Sequence, residues 1–312
     1  MNDQHNKAYN IFLNEGFSVL DNESYRILQK YKYYSRLQEK TITTYVVWQD
    51  CLFGLYKIID QCLCSVFFHE QQEIYWTIQR PNENSTCPLQ PILSTLVKLC
   101  KKAGITTLSI KLIDQHLLSE YMAVQNPIIQ IIYDIDSSEY IYTRDNLIKL
   151  NGTSNYYKRK RVKKYINRKD ISIQLMTKEN VNLCLEIENQ WCSRQDCSYC
   201  YSFFGCEKKA IEIITDIYSE EIHKGLLLFN EEKPVGYIIC EQLSSKVSFL
   251  YFGKSTLEDG FVYLIYTMYK DYLTEVQYMN FNEDMGHPGL RKFKKLLSPY
   301  ELWHKYFISY SI

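Results

Sequence analysis

The sequence predicts a mixed α/β (α+β) protein of two lobes, each a twisted, mostly antiparallel sheet with helices on its faces. β-branched and aromatic runs bounded by turn residues alternate with stretches of helical spacing along the chain. The C-terminal half reads as a strand meander, a long helix, a strand, a short helix and a strand, an order that suits a mixed sheet covered by helices. With 312 residues and 46% hydrophobic content, the chain is long enough for one large or two ordinary cores.

In chain order, Tyr45–Asp50, Gly54–Ile59, Cys62–Phe68 and Glu73–Gln79 read as strands because β-branched and aromatic residues dominate them. Pro91 opens a helical run with apolar Ile92, Leu93, Leu96, Val97, Leu99 and Cys100, and Gly104 stands where a helix would stop. Thr106–Ile113 reads as a strand, Gln115–Val124 as a helix and Ile128–Tyr133 as a strand. An acidic turn, Asp134–Glu139, marks the boundary between domains at 1–136 and 137–312. Beyond it, helices are expected at Thr143–Leu150, Asn155–Asn167, Glu179–Trp191, Cys206–Ile222, Leu257–Leu273 and Pro288–Leu296. Strands are expected at Ile171–Met176, Gly225–Asn230, Pro234–Glu241, Lys246–Lys254, Val276–Asn280 and around Leu302–Ser309.

Composition excludes several classes. Lys plus Arg and Asp plus Glu number 36 each, so net charge predicts no polyanion partner such as DNA, and only local clusters argue for anions. No stretch reaches the roughly 18 apolar residues of a membrane span, and the polar start MNDQHNKAYN has no signal-peptide core. A cytoplasmic protein is expected, its 11 Cys mostly free thiols. Motifs for nucleotide-binding P-loops, dinucleotide folds, nucleophile elbows and zinc proteases are missing.

Glu139–Ile166 reads EYIYTRDNLIKLNGTSNYYKRKRVKKYI, and Met279–Tyr306 reads MNFNEDMGHPGLRKFKKLLSPYELWHKY. These blocks resemble the group of proteins related to the C-terminal domain of phosphatidylglycerol lysyltransferases. The first resembles its Y-x-Y-x-x-x-x-L-I-x-L-x-G block followed by a basic run, and the second its N-R-E-x-D-x-G-x-x-G-L-R-K-x-K block with a trailing Lys-Tyr. The resemblance implies tandem acyltransferase-like (GNAT) domains and transfer of an acyl or aminoacyl group, with acyl-CoA or aminoacyl-tRNA as donor substrate. It differs from the family at Phe281, where Arg is usual, and at Asn282, where an acid is common. Gly253–Lys254 also stands where an acid and Lys usually precede the long helix.

Two constellations carry the candidate chemistry. Lys158, Arg159, Lys160, Arg161, Lys163 and Lys164 crowd one helix, with Lys160, Lys163, Lys164 and Asn167 sharing a face. Such a cluster suits phosphate in a lipid head group, a nucleotide or tRNA; the alternative is a solvated face balanced by the acidic turn. Asn280, Glu283, Asp284, Gly286, Gly289, Arg291 and Lys292 stand where a strand ends and a helix begins. Glu283 or Asp284 suits the proton acceptor for an incoming amine, and Arg291, Lys292 and Lys254 suit anion contacts. The alternative is an Asp284–Arg291 pair that sets the fold. Lys305 and Tyr306 match the trailing Lys-Tyr, with Tyr306 a candidate acid. Cys192, Cys197, Cys200 and Cys206 include one CxxC spacing, which a metal, a redox pair or ordinary thiols would explain. An acyl- or aminoacyl-transferase acting on an amine or hydroxyl acceptor is the expected function. The rival is a non-catalytic anion-binding module on the same fold.

Overall fold

The computed structural model describes residues 3–29, 36–37, 40–68, 74–82, 84–133, 135–153, 155–193, 206–242 and 246–312. They form two compact units, Met1–Ser137 with Trp303–Ile312, and Ser138–Leu302. The second division, at Leu302/Trp303, has no counterpart in the two contiguous domains read from the sequence.

The first unit contains helix α1 (Asp3–Asn14), strand β1 (Ser18–Val19) and helices α2 (Asn22–Leu28) and α3 (Ile42–Val47), then strands β2 (Phe53–Ile59), β3 (Cys62–Phe68) and β4 (Tyr75–Gln79). Helix α4 (Leu89–Ala103), strand β5 (Thr107–Asp114), helix α5 (Leu118–Met122) and strand β6 (Ile128–Tyr133) follow. The helix α4 obeys its sequence signals: Ile92, Leu93, Leu96, Leu99 and Cys100 are buried on one stripe, and Gly104 closes it at φ +73°. The region 45–50 differs from expectation. Tyr45, Val46 and Val47 belong to α3, because Thr41 caps a helix there, its Oγ1 accepting the Thr44 N–H at 3.2 Å. All six residues of α3 are buried, so packing overrides their strand propensity.

The second unit runs β7 (Glu139–Thr143), α6 (Arg144–Ile148), α7 (Tyr156–Ile166), β8 (Ile171–Leu175), α8 (Leu183–Cys192), α9 (Glu207–Ile217), β9 (His223–Asn230), β10 (Lys233–Gln242) and β11 (Val247–Ser255). Then come α10 (Gly260–Thr267), continued by a wider π-type turn, β12 (Tyr278–Asn280), α11 (Pro288–Leu296), β13 (Glu301–Trp303) and, back in the first unit, β14 (Lys305–Ser311).

Each sheet has seven strands, in the orders β1-β2-β3-β4-β5-β14-β6 and β13-β7-β12-β11-β10-β9-β8. Read in opposite directions, these are one plan. An antiparallel meander (β2-β3-β4; β9-β10-β11) leads through a helix to a parallel strand (β5; β12). An antiparallel strand from elsewhere in the chain then fills the next slot: β14 beside β5, β7 beside β12. This is the tandem GNAT-type architecture that the family resemblance implied.

β14 is central to the first sheet, hydrogen-bonded to β5 on one side and β6 on the other. Its Tyr310 is fully buried and donates to the Tyr121 carbonyl at 2.8 Å. Tyr310→Ala is expected to destabilise the first unit by about 3–5 kcal/mol through the cavity it leaves, measured as a shift in that unit's urea transition. A change within error would mean that the end of the chain contributes little to this core.

Candidate functional site

The chain leaves the second sheet at Asn280, and the following loop is built by one lysine. Lys294 of α11 is buried, and its ammonium donates to the carbonyls of Phe281 (2.6 Å), Asn282 (3.0 Å) and Glu283. Successive carbonyls turned to one cation require unusual backbone, and Asn282, Met285 and Gly286 have φ of +58°, +55° and +70°. Asn280, fully buried, accepts the Asn282 N–H at 2.8 Å and donates to the Glu139 carboxylate. His287 caps α11, its Nδ1 accepting the Leu290 N–H at 3.2 Å.

Asp284 is held within this loop. Arg291 binds it two-pronged, Nε to Oδ2 and Nη2 to Oδ1, both at 2.8 Å. The Tyr140 hydroxyl and the Gly286 N–H also donate to it. Burial works against its charge, but the donors outweigh burial and hold its pKa at about 2. A carboxylate so bound is a poor proton acceptor at neutral pH. Glu283 is buried beside it, while Lys292 is exposed. Arg291, Lys292 and Lys295 line a cavity of about 410 Å³ with Pro288 and Leu296.

The basic helix α7 presents Lys158, Val162 and Tyr165 inward. Three of its six cations, Arg159, Arg161 and Lys164, have local partners. Arg161 Nε meets Asp259 at 2.6 Å, and Lys164 meets Asp259 at 2.6 Å and Glu258 at 3.1 Å. Arg159 Nη1 donates to the Leu150 and Gly152 carbonyls at 2.7 and 2.9 Å. Lys160 and Lys163 are exposed. Lys158 is 2% exposed, and its Nζ has no hydrogen-bond partner among the described residues. Burial alone lowers its pKa to about 8.

Glu258 and Asp259 stand just before α10. Next to them, Phe261 lies on Gly253, where an added Cβ would come within 2.2 Å of the ring, and stacks on Phe293 of α11 at 5.8 Å. Acidic side chains and packed rings therefore occupy the start of this helix. Through them the basic helix is linked to α11 by an unbroken line of contacts.

Because Gly253 faces Phe261, the next residue of β11, Lys254, points to the other face of the sheet. It is the cross-strand neighbour of Tyr237 on β10, and both reach Glu188 of α8. The Tyr237 hydroxyl donates to Glu188 Oε1, and Lys254 Nζ meets Glu188 Oε2 at 2.9 Å and Glu207 Oε2 at 2.8 Å. The Trp191 ring lies 5.7 Å from the ammonium. Glu188 is fully buried, and burial pushes its carboxyl up more than Lys254 pulls it down. For Lys254 burial works against the charge, yet Glu207 and Glu188 outweigh it and raise the pKa. Solvent reaches the group through Lys254 and Glu207, whose side chains are 13% and 37% exposed.

The candidate residues thus fall into separate places. Asn280, Glu283, Asp284, Arg291 and Lys292 share one loop and helix start; Lys158, Arg159 and Arg161 share α7; Lys254 joins neither set. Lys305 and Tyr306 belong to β14 of the first unit, Lys305 buried and Tyr306 stacked on Tyr133 at 5.5 Å. Glu188, Tyr237 and Lys294 were not singled out from the sequence. The signal for Glu188 was an acid at helical spacing with apolar Cys184 and Ile187. Cys197 and Cys200 lie outside the described residues, among which no three potential metal ligands cluster. Nor is any described helix long and apolar enough to cross a membrane.

A family model described as "Phosphatidylglycerol lysyltransferase, C-terminal" matches residues 43–309. No curated protein matches the chain. Among solved structures, a conserved protein of unknown function from Bacteroides thetaiotaomicron is similar with a TM-score of 0.83 at 18% identity, covering 95% of this chain and 99% of that one. L-PGS from Bacillus licheniformis is similar with a TM-score of 0.60 at 12% identity, over 85% of each chain. FemX is similar with a TM-score of 0.60 at 13% identity, over 93% of this chain and 96% of its own.

Two titrations follow from the burial described above. Asp284 titrates below the usual 3.8, so its contribution is complete above that value and disappears as pH falls toward 2. Asp284→Asn is expected to cost about 1–3 kcal/mol at pH 7, with the gap to wild type closing in acid; a gap constant with pH would contradict the ion-pair assignment. Lys158 behaves oppositely. Below pH 8 the fold carries a buried ammonium with no partner among the described residues, a penalty relieved as pH rises from 8 toward 10.5. Lys158→Met is therefore expected to stabilise by about 1–3 kcal/mol at pH 7, the gain shrinking as pH rises; denaturation at both pH values measures it.

Proposed function

The chain belongs to the phosphatidylglycerol lysyltransferase C-terminal family, and from that premise we propose that it is a GNAT-type transferase moving an aminoacyl group from an activated ester to an amine or hydroxyl acceptor. The observation that carries this reading is the separation of two central strands beside a buried acid. β11 and β12 pair in parallel only over Val247–Phe249 and Tyr278–Asn280, while β11 runs on to Ser255. Strand pairing alternates, so one of Gly253 and Lys254 turns its N–H away from β10 and toward the opening. That N–H group would meet the oxyanion of the tetrahedral intermediate.

In this reading Glu188 is the proton acceptor. Its raised pKa brings it toward neutrality, where a general base works best. The acceptor gives its proton to Glu188 as it bonds to the carbonyl carbon; as the tetrahedral intermediate collapses, the carbon–oxygen ester bond breaks and protonated Glu188 returns that proton to the leaving ester oxygen. Lys254, held charged by Glu188 and Glu207, stands beside that leaving group. An aminoacyl ester is favoured over a coenzyme A thioester because Glu258 and Asp259 set acidic side chains just before α10, which disfavours an anionic pyrophosphate at that helix start. A second reading, a non-catalytic anion-binding module, is supported by the cavity lined by Arg291, Lys292 and Lys295.

The test is transfer of a labelled aminoacyl group from aminoacyl-tRNA, with acyl-CoA as the comparison donor, to amines and to phosphatidylglycerol in vesicles. Glu188→Gln is expected to lower turnover by ~10²–10⁴ with the fold intact. Full turnover in that variant would remove Glu188 from the chemistry. Thermal stabilisation by anions with no transfer to any acceptor would favour the binding module.

A further inference from the structure

Strand β6 ends the first sheet, and among the described residues its only strand neighbour is β14. Its apolar side chains are solvent-facing: Ile128 is 36% exposed, Ile129 59%, Ile131 41%, Ile132 39% and Tyr133 45%. The opposite edge of the same sheet is the two-residue β1, so the long edge and the apolar edge coincide. Natural sheets usually blunt such an edge with lysines, inward charges or a cover. Residues 125–133, Gln-Asn-Pro-Ile-Ile-Gln-Ile-Ile-Tyr, carry no charge.

The pattern of this strand points to its occupant. Ile-Ile-Gln-Ile-Ile is symmetric about Gln130. Laid antiparallel on an identical strand, it sets Ile128 against Ile132, Ile129 against Ile131 and Gln130 against its own copy. A two-fold interface demands such self-complementarity. Charge chooses the direction. Asp134 and Asp136 follow the strand, whereas Gln125 and Asn126 precede it. Antiparallel pairing sets each acidic end beside the neutral end of its partner, and parallel pairing would bring the acidic ends together. The chain's zero net charge adds no long-range repulsion between copies.

We infer that β6 is a self-association surface: two copies of this chain pair antiparallel along Ile128–Tyr133 and join their first-unit sheets into one continuous sheet. Isoleucine pairs and a new hydrogen-bond ladder stabilise the contact, as in other strand-addition interfaces.

Sedimentation equilibrium of the full chain tests this, with an expected species of twice the chain mass at micromolar concentration. The double variant Ile129→Lys/Ile131→Lys sets lysines opposite lysines and is expected to weaken the dimer at least ~tenfold. Its counterpart Ile129→Glu/Ile131→Glu is expected to do the same, and mixing the two variants is expected to restore a dimer through opposite charges. Unchanged circular dichroism keeps misfolding out of the comparison. Amide exchange of wild type gives a readout without substitution: protection of residues 128–133 is expected to rise with protein concentration. A monomeric wild type, a dimer that survives the lysine pair, no rescue on mixing, or concentration-independent exchange of this strand would each overturn the inference. A monomer that captures an added unrelated β-strand peptide would assign the edge to a foreign strand instead.

Discussion

The second unit depends on the ammonium of Lys294 held against three successive carbonyls. Taking an ammonium out of water is costly, and the carbonyl dipoles of Phe281, Asn282 and Glu283 supply hydrogen bonds that water would have supplied. To reach it the chain turns out of the sheet immediately after Asn280. β12 therefore ends while β11 continues, and the strands part. The same turn sets Asp284 against Arg291 and Tyr140.

Charge in this unit is mostly spent internally. Arg161 and Lys164 are tied to Asp259, Arg159 to carbonyls and Arg291 to Asp284. What remains free to act is small. The exposed lysines of α11 and α7 face water, and the Glu188–Lys254–Tyr237 group sits beneath the other face of the sheet with its acid raised by burial. Lys158 stands apart. Its charge is buried and has no partner among the described residues, a defect that reduces stability at neutral pH.

Much of this was legible along the chain. Cys62–Phe68, Ile128–Tyr133 and Pro288–Leu296 form the expected elements over the expected residues, because local propensity, turn residues and tertiary packing agree there. Residues 45–50 were misread because a capped, wholly buried helix can be composed of strand-prone residues. The long helix expected over Leu257–Leu273 starts later, at Gly260, and widens into a π-type turn after Thr267. The pairing of Asp284 with Arg291 was readable as an alternative because the two lie one helical approach apart. Which alternative held depended on Tyr140, which no spacing along the chain connects to Asp284.

By itself, then, the sequence determined the alternation of strands and helices, the helix stop at Gly104, the helix start at Pro288, the balanced charge and the family blocks, all of which are set by neighbours within a few residues. The tertiary structure alone decided that β14 returns to the first sheet, that Lys254 faces Glu188 instead of the basic helix, and that Asp259 pairs with Lys164, 95 positions before it. The physical reason is the range of the forces involved. Backbone propensity and capping act along the chain, whereas strand order, burial and ion pairing are settled only when distant segments exclude water together.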